Sequence, residues 1–595
     1  MAEKPKVNLS PPMAKAYERL KQVRASKTVS LKPSSRLKQE ITSIGGGTER
    51  FDLRYYQVQG VYHMMTLKRM VLGDDCGLGK TVETLAAMAY LWDSKAEANH
   101  KVIVVAPKSA MNQWADEIKR FLVGVEPIVA SAKPKKGKSA LELRTEKYEK
   151  WRDAKGPTVL ITNYALLVRD WNEGGFRPLK PNGKPDPNKP VKPGLLDKIT
   201  EDVAKGNLTI IFDEATAFKS KRTKTWETAY FLSQRANRCY GLTATLLKNR
   251  LFEGYCIYGV VRPGLFTTQS KFYDQYCFVE LKKVGKARIP LIKGYKNLDQ
   301  FRATIDPFFL GRKKHMVAKE LPTLTTKEIV VELSRPEEIK YAEALTGIFE
   351  LGDGELKVYE DNKALVSLIY CQQVVNSLAT LKFDEDSGVD DDLINDPKRY
   401  KVGSLGSKEQ ALVDLLSEQL EDQKVIVYTR FASLVPRLQA ILKKAGVAST
   451  RITGMETDDK VRQKNQKMFQ DPEGDVNVIF ITDAGSEAIN LQMAAATVFY
   501  DAPWSWGNYI QILGRMIRIG SPHKGVLVFH LVAARPGKKE AADSKTIDHH
   551  VLSLLRSKRG FIDKILGEGA VGALTFDKSG KDLHELVRLL QGPSK

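Results

Sequence analysis

A short apolar run, Met70-Val71-Leu72, leads into Gly73-Asp-Asp-Cys-Gly77-Leu-Gly79-Lys80-Thr81 and then into the helix-prone Val82-Glu-Thr-Leu-Ala-Ala-Met-Ala89. Strand, glycine loop and helix in that order leave the chain few options. Backbone N–H groups converge at the head of the helix, whose dipole favours an anion there. The spacing lets Lys80 reach the β- and γ-phosphates of a nucleotide and puts the Thr81 hydroxyl where it would ligate Mg²⁺. The strict pattern GxxxxGK[ST] asks for glycine where this chain has Asp74.

A loop of this kind belongs to a parallel sheet covered by helices, and the surrounding sequence agrees. Continuous β-branched runs, Lys101–Val105, Thr158–Thr162, Leu208–Phe212 and Cys239–Thr243, alternate with helix-like stretches. A second set follows at Lys424–Tyr428, Val476–Ile481, Thr497–Tyr500 and Val526–His530. The expected class is therefore α/β, with two parallel-sheet domains, as a length of 595 residues also requires. The expected bounds are a basic flexible tail over 1–48, a first domain over 49–265, a helical insertion and linker over 266–400, a second domain over 401–535, and a C-terminal brace and tail over 536–595. The segment Asn172–Pro193 reads as a surface loop, and Asp384–Asp392 as an acidic linker.

The run Ile210-Ile-Phe-Asp213-Glu214 delivers two adjacent carboxylates at a strand's C-terminal end, where ligands of open α/β sheets collect. After a phosphate loop, Asp213 is expected to hold Mg²⁺, and Glu214 to orient and deprotonate the attacking water. ATP and Mg²⁺ are thus the expected cofactors. The catalytic set is Lys80, Asp213 and Glu214, joined by two arginines considered below.

Ninety-three Lys and Arg against 71 Asp and Glu give a net charge of +22, which suits either a polyanionic partner or a solvated basic surface. Five scattered cysteines form no CxxC pair, which argues for a reducing compartment and against structural zinc. No apolar run reaches membrane-spanning length and the first residues have no signal-peptide core. The expectation is a cytoplasmic protein, at a bacterial or viral-host nucleoid, with no membrane partner.

Taken in order, these motifs resemble the superfamily-two helicases and, within them, the Swi/Snf-type DNA-translocating ATPases. That family's form of the phosphate loop carries an acid where Asp74 stands. The resemblance implies two tandem RecA-like domains with a helical insertion and a C-terminal helical brace. Leu53–Gly60 is similar to the adenine-recognising segment, with Gln57 reading the base. Asp74, Asp75, Cys76, Gly77, Leu78, Gly79, Lys80 and Thr81 are the remaining nucleotide contacts implied. Lys108 and Ser109, then Thr162 and Tyr164, resemble strand-tracking elements, and Gly241–Thr245 a coupling segment followed by Leu246 in place of the usual proline. In the second domain Arg430, Thr482, Gly485 and Asn490 match nucleic-acid contacts, although Ser486, Glu487 and Ala488 depart from the family's glycine-rich centre. Gln511–Gly520 resembles the last motif, and Thr546–Ile565 the brace.

Arg515 and Arg518, three apart and so expected on one helical face, are by the same resemblance arginine fingers that act on the ATP γ-phosphate. Pro307–Lys314 reads either as a backbone contact to nucleic acid or as an ordinary basic helix end. The implied activity is a DNA-dependent ATP hydrolase of helicase type that moves along or remodels duplex or branched DNA. It is expected to act as a monomer, with replication or recombination proteins as possible partners. Two alternatives are an RNA-acting helicase of the same superfamily and a non-hydrolysing, ATP-dependent nucleic-acid clamp.

Overall fold

The computed structural model describes residues 9–566 apart from 43–47, 95–99, 132–133, 135–136, 173–193, 204–206, 245, 248–249, 285–286, 318–321, 347, 351–355, 359–362, 381–404, 457, 484, 486–488, 519–520 and 537–543. The expected surface loop, the acidic linker, the C-terminal tail after 566, Thr245 and the departures at 486–488 lie outside the described residues. Two compact units divide at Val317/Ala318.

The first unit is built on one wholly parallel sheet. Its strands are β1 (Arg69–Leu72), β2 (Lys101–Ala106), β3 (Glu126–Val129), β4 (Thr158–Asn163), β5 (Leu208–Asp213), β6 (Arg238–Leu242) and β7 (Phe309–Leu310), in spatial order β7-β1-β6-β5-β2-β4-β3. β2, β4 and β6 are buried at every position, which is why they read as unbroken apolar runs rather than alternating ones. Leu72 at the end of β1 and Asp213 at the end of β5 both pair in register with Leu242 of β6. The phosphate loop and the carboxylates therefore leave the same edge of the sheet two strand spacings apart, about 10 Å.

Three helices of this unit matter for the site: α1 (Pro11–Ala25), α2 (Tyr55–Thr66) and α3 (Lys80–Asp93). The first of them corrects an expectation, because the described part of the N-terminal segment is not a flexible tail. Leu20 is buried, and Arg24 donates to the carbonyls of Asp306 (3.1 Å) and Phe309 (2.7 Å) and to His63 Nε2 (2.9 Å). Beyond α1 the chain stays pinned, with Tyr62 and Tyr90 hydroxyls on the carbonyls of Ser30 and Lys32 and Ser35 on Asp93. Scattered single anchors of this sort leave no periodic signal among the lysines and serines that surround them.

The second unit has six parallel strands: β8 (Thr323–Glu332), β9 (Val425–Tyr428), β10 (Ser449–Ile452), β11 (Val478–Ile481), β12 (Ala496–Phe499) and β13 (Gly525–Ala534), in order β8-β13-β12-β9-β11-β10. Two apolar clusters cover its sheet, one around Tyr428, Phe499 and Val528 and the other around Val427, Phe480 and Leu531. The helices used below are α4 (Lys363–Asn376), α5 (Ser407–Asp414), α6 (Trp506–Met516) and α7 (Ile547–Leu566). α7 buries Ile547, Val551, Leu552 and Leu555 in the first of these clusters, each contributing about 1.5–3 kcal/mol. This helix lies in the stretch where the brace is expected.

The stretch expected as a helical insertion and linker carries strands among its helices. Residues 266–400 hold the antiparallel hairpin Cys277–Val284/Ala287–Tyr295, then β7 and β8, and the small hairpin Ile348–Glu350/Leu356–Val358. They are not a third unit: the stretch up to Val317 belongs to the first unit and the chain from Ala318 to the second. β8 is an almost wholly exposed edge strand, so its polar residues hid it. Among the described residues no helix is long and apolar enough to cross a membrane.

Candidate active site

The loop after β1 turns twice through left-handed backbone, at Gly77 (φ 86°) and Gly79 (φ 88°), which side chains with a Cβ avoid. It delivers the chain to α3 with no side-chain cap on that helix, so the N–H groups of its first turn face the loop's concavity. Lys80 folds back into the same concavity, donating to the carbonyls of Asp74 (2.6 Å) and Asp75 (3.3 Å). Uncapped amides and a lysine at one point fit a polyphosphate.

At the end of β5, Asp213 Oδ2 accepts from Trp114 Nε1 (2.8 Å) and Oδ1 from the Glu214 N–H (3.0 Å). Burial, with the neighbouring Glu214 charge, pushes the Asp213 carboxyl up to about 6, while the Trp114 hydrogen bond and the Lys80 charge pull the other way. The phosphate lysine thus acts electrostatically on the expected Mg²⁺ ligand. Glu214 has a left-handed backbone (φ 51°), a strained setting for a glutamate and one that functional side chains often occupy. Thr81 heads α3 and is half-buried, so a hydroxyl and a carboxylate are present for Mg²⁺ as the sequence implied.

Gln57 lies in the first turn of α2. Its Oε1 accepts from the Arg54 N–H (3.0 Å) and its Nε2 donates to the Leu78 carbonyl (3.2 Å), tying α2 to the loop. One amide hydrogen and one lone pair remain, the pair that an adenine edge requires.

Asp74 plays a different part from the one expected. It is fully buried and faces Arg312, whose Nε meets both carboxylate oxygens at 3.0 Å while its Nη2 meets Glu83 at 2.7 and 2.9 Å and its Nη1 the Tyr56 carbonyl. Asp74 therefore braces the loop from behind instead of touching nucleotide. Arg312 equally is no backbone contact for nucleic acid, since it is buried and each of its three nitrogens bonds inside. A Cβ on Gly60 would fall 1.6 Å from Glu83 Oε2, so glycine makes the room for that carboxylate. Burial, with Asp74 beside it, holds the Glu83 carboxyl well above its usual range despite Arg312. Glu83 escaped the sequence reading because a glutamate in a helix's first turn is ordinary.

One expected strand contact of this unit is also corrected. Thr162 is fully buried within β4, whereas Tyr164 is half-buried and its hydroxyl donates to the Asp213 carbonyl (2.6 Å), backing the carboxylate strand. A residue in a strand covered on both faces has no free side. Trp114 serves the same strand through Asp213. Lys108 is exposed at the end of β2 and remains available as a surface contact, whereas the hydroxyl of the neighbouring Ser109 is buried.

In the second unit the expected nucleic-acid contacts follow the C-terminal ends of β9 and β11, and the two arginines lie at the end of α6. Arg430 donates its N–H to Asp501 Oδ1 (3.0 Å) and stacks over Trp504 at 5.2 Å. Thr482 is buried, so its hydroxyl is no surface contact. Gly485 is needed for close approach, because a Cβ would lie 1.8 Å from the Ile452 carbonyl; its own carbonyl accepts from Arg462 (3.1 Å). Asn490 Nδ2 reaches Gln492 (3.2 Å), and the next N–H, of Leu491, bonds to the Arg515 carbonyl (3.1 Å). Arg515 lies in the last turn of α6, with its Nε buried and unpartnered among the described residues. Arg518 falls beyond the helix end, where its Nε holds the Gly514 carbonyl (2.9 Å). The shared helical face expected for the two arginines does not exist, because Ile517 leaves helical geometry (ψ 88°).

The profile of the family described as SNF2-related domain matches residues 56–381, and that of the helicase conserved C-terminal domain matches 407–520. Among curated relatives, a protein called an uncharacterized ATP-dependent helicase of Mycoplasma pneumoniae is 24% identical, over 87% of this chain and 42% of its own length. The Bacillus subtilis protein YqhH, described in the same words, is 23% identical over 84% of this chain and 76% of its own. The solved SWI2/SNF2 ATPase core of Sulfolobus solfataricus in complex with dsDNA is 22% identical, covering 91% of this chain and 95% of that one, at a TM-score of 0.36. The chain spans less than half the length of the first curated relatives it matches.

Proposed function

The chain belongs to the family of SNF2-related domains, and from that premise we propose that it is an ATP-hydrolysing motor that moves along, or remodels, duplex or branched DNA. The observation that carries the reading is the joint edge of the first sheet. Uncapped helix amides, Lys80 and the Asp213–Glu214 pair leave that edge about 10 Å apart, the span of a triphosphate and its metal.

The loop amides and Lys80 bind and orient the phosphates, and Gln57 reads the base with its remaining donor and acceptor. Thr81 and Asp213 hold Mg²⁺, which when bound neutralises phosphate charge. Glu214 orients the attacking water and takes its proton. Arg515 and Arg518 are the candidate arginine fingers, groups whose positive charge is worth about a thousandfold or more in arginine-finger enzymes. Lys108, Arg430 and Asn490 contact the DNA backbone, a role the +22 charge supports.

Displacement of a third strand from a triplex tests movement directly. Wild type with ATP should release it, and Glu214→Gln should not; release without ATP would end the motor reading.

A further inference from the structure

Arg430 can grip a phosphate only if its guanidinium is held outward, and a side chain this long loses about 2 kcal/mol of rotamer freedom when fixed. α4 supplies what fixes it. Gln372 and Asn376 are four residues apart and so share one face of that helix. Gln372 Oε1 accepts from Arg430 Nη1 (2.7 Å) and from Trp504 Nε1 (2.9 Å), clamping guanidinium and indole in their stack. Asn376 Nδ2 donates to Asp501 Oδ2 (2.9 Å), the carboxylate that also takes the Thr429 hydroxyl (2.6 Å) and the Arg430 N–H (3.0 Å). One helix face thus holds residue 430 by its backbone and by its head.

The chemistry of the clamp is specific. Gln372, Asn376 and Asp501 are all buried, so water does not compete for these bonds. The Gln372 Nε2 has no partner among the described residues, a state that costs roughly 1–3 kcal/mol and that an apolar side chain would avoid. Only its oxygen is used. A neutral acceptor fixes an arginine without cancelling its charge, whereas a carboxylate in the same place would consume it.

We propose that Gln372 is a positioning residue, a neutral clamp that aims the Arg430 charge at a nucleic-acid phosphate, with Asn376 setting the backbone beneath it. This rests on Arg430 contacting DNA, as the proposed function has it. The test measures duplex-DNA affinity by fluorescence anisotropy across a salt series, and ATPase against DNA concentration, for the full chain. Arg430→Ala should weaken binding about tenfold and lower the salt slope by about 0.9, one phosphate contact. Gln372→Leu should raise the half-saturating DNA concentration about fivefold, with kcat at saturating DNA within about twofold and the slope intact, because charge is kept while aim is lost. Gln372→Glu keeps both hydrogen bonds, and hence the fold, yet should lower the slope by about 0.9 through neutralisation. Wild-type affinity in Gln372→Leu, or a wild-type slope in Gln372→Glu, overturns the clamp when Arg430→Ala shows its loss. An unaffected Arg430→Ala overturns the DNA contact itself.

Discussion

The phosphate loop of the first unit and Arg430 of the second are both held by buried polar clusters, but the clusters are made of different chemistry. Behind the loop the holder is ionic: Arg312 bonded to Asp74 and Glu83. At the Arg430 guanidinium it is neutral, the Gln372 amide, while the Asp501 carboxylate takes only the backbone N–H. The held group explains the difference. Asp74 is scaffolding, and its charge can be cancelled without loss to the site. Arg430 must present its charge outward, so whatever fixes it has to leave that charge alone.

The largest effects expected are on turnover. Lys80→Ala and Glu214→Gln should each lower DNA-stimulated ATPase by about a hundredfold or more, since both act on the transferring phosphate. DNA binding without nucleotide should persist in both. A variant that retains more than a tenth of the wild-type rate breaks the assignment of the first unit as the hydrolytic one.

Stability comes next. Arg312→Met strands two buried acidic side chains, Asp74 and Glu83, and should cost about 3–5 kcal/mol, read as a shift of the denaturant midpoint. The triple change with Asp74→Asn and Glu83→Gln should recover part of that loss; a triple variant no more stable than the single would contradict the ionic account. Lys408 offers the comparison in the second unit. It is buried against Asp548 (2.8 Å) and Asn376 (3.2 Å), so Lys408→Met strands only one carboxylate and should cost less.

Acid should separate a third feature. His63 accepts from Arg24 at Nε2 and bonds the Gln59 carbonyl through Nδ1 (2.7 Å), which fixes a neutral ring. Burial, then the Arg24 charge, pushes its pKa down to about 3. A depressed histidine pKa gives stability that is whole above the unfolded value of 6.5 and is lost as pH falls toward the folded value, about 1.4 kcal/mol per pH unit. His530 in the second unit, pushed down to about 4 by burial and Arg556, should behave alike. The stability gap between wild type and His63→Gln should therefore narrow from pH 6.5 to pH 5. A constant gap would show that the ring is not held neutral.

The smallest effect is at the surface. Lys108→Ala, at an exposed end of β2, should lower the salt slope of DNA binding by about one and leave saturated turnover nearly unchanged. No change in slope would remove Lys108 from the interface.

What the sequence made legible was the part of each site that is contiguous. The strand-loop-helix run to Thr81 and the strand end at Asp213–Glu214 are local patterns, and the structure places both on one sheet edge. The supports were not legible, because they are remote: Asp74 and Arg312 are 238 residues apart, and Arg430 and Gln372 are 58. A buried arginine and a surface one look the same in a run such as Gly311-Arg312-Lys313. The same limit hid β8, whose exposed polar residues carry no core signal, and the docking of α1, which depends on single side chains. It also misplaced Arg518, since the residue i+3 from Arg515 shares its face only while the helix continues, and α6 stops at Met516.

The most direct test is steady-state ATP hydrolysis by wild type and Lys80→Ala, with and without saturating duplex DNA. The structure predicts a wild-type rate that duplex DNA raises severalfold and a Lys80→Ala rate near background in both conditions. Equal rates for the two proteins, or a wild-type rate indifferent to DNA, would contradict it.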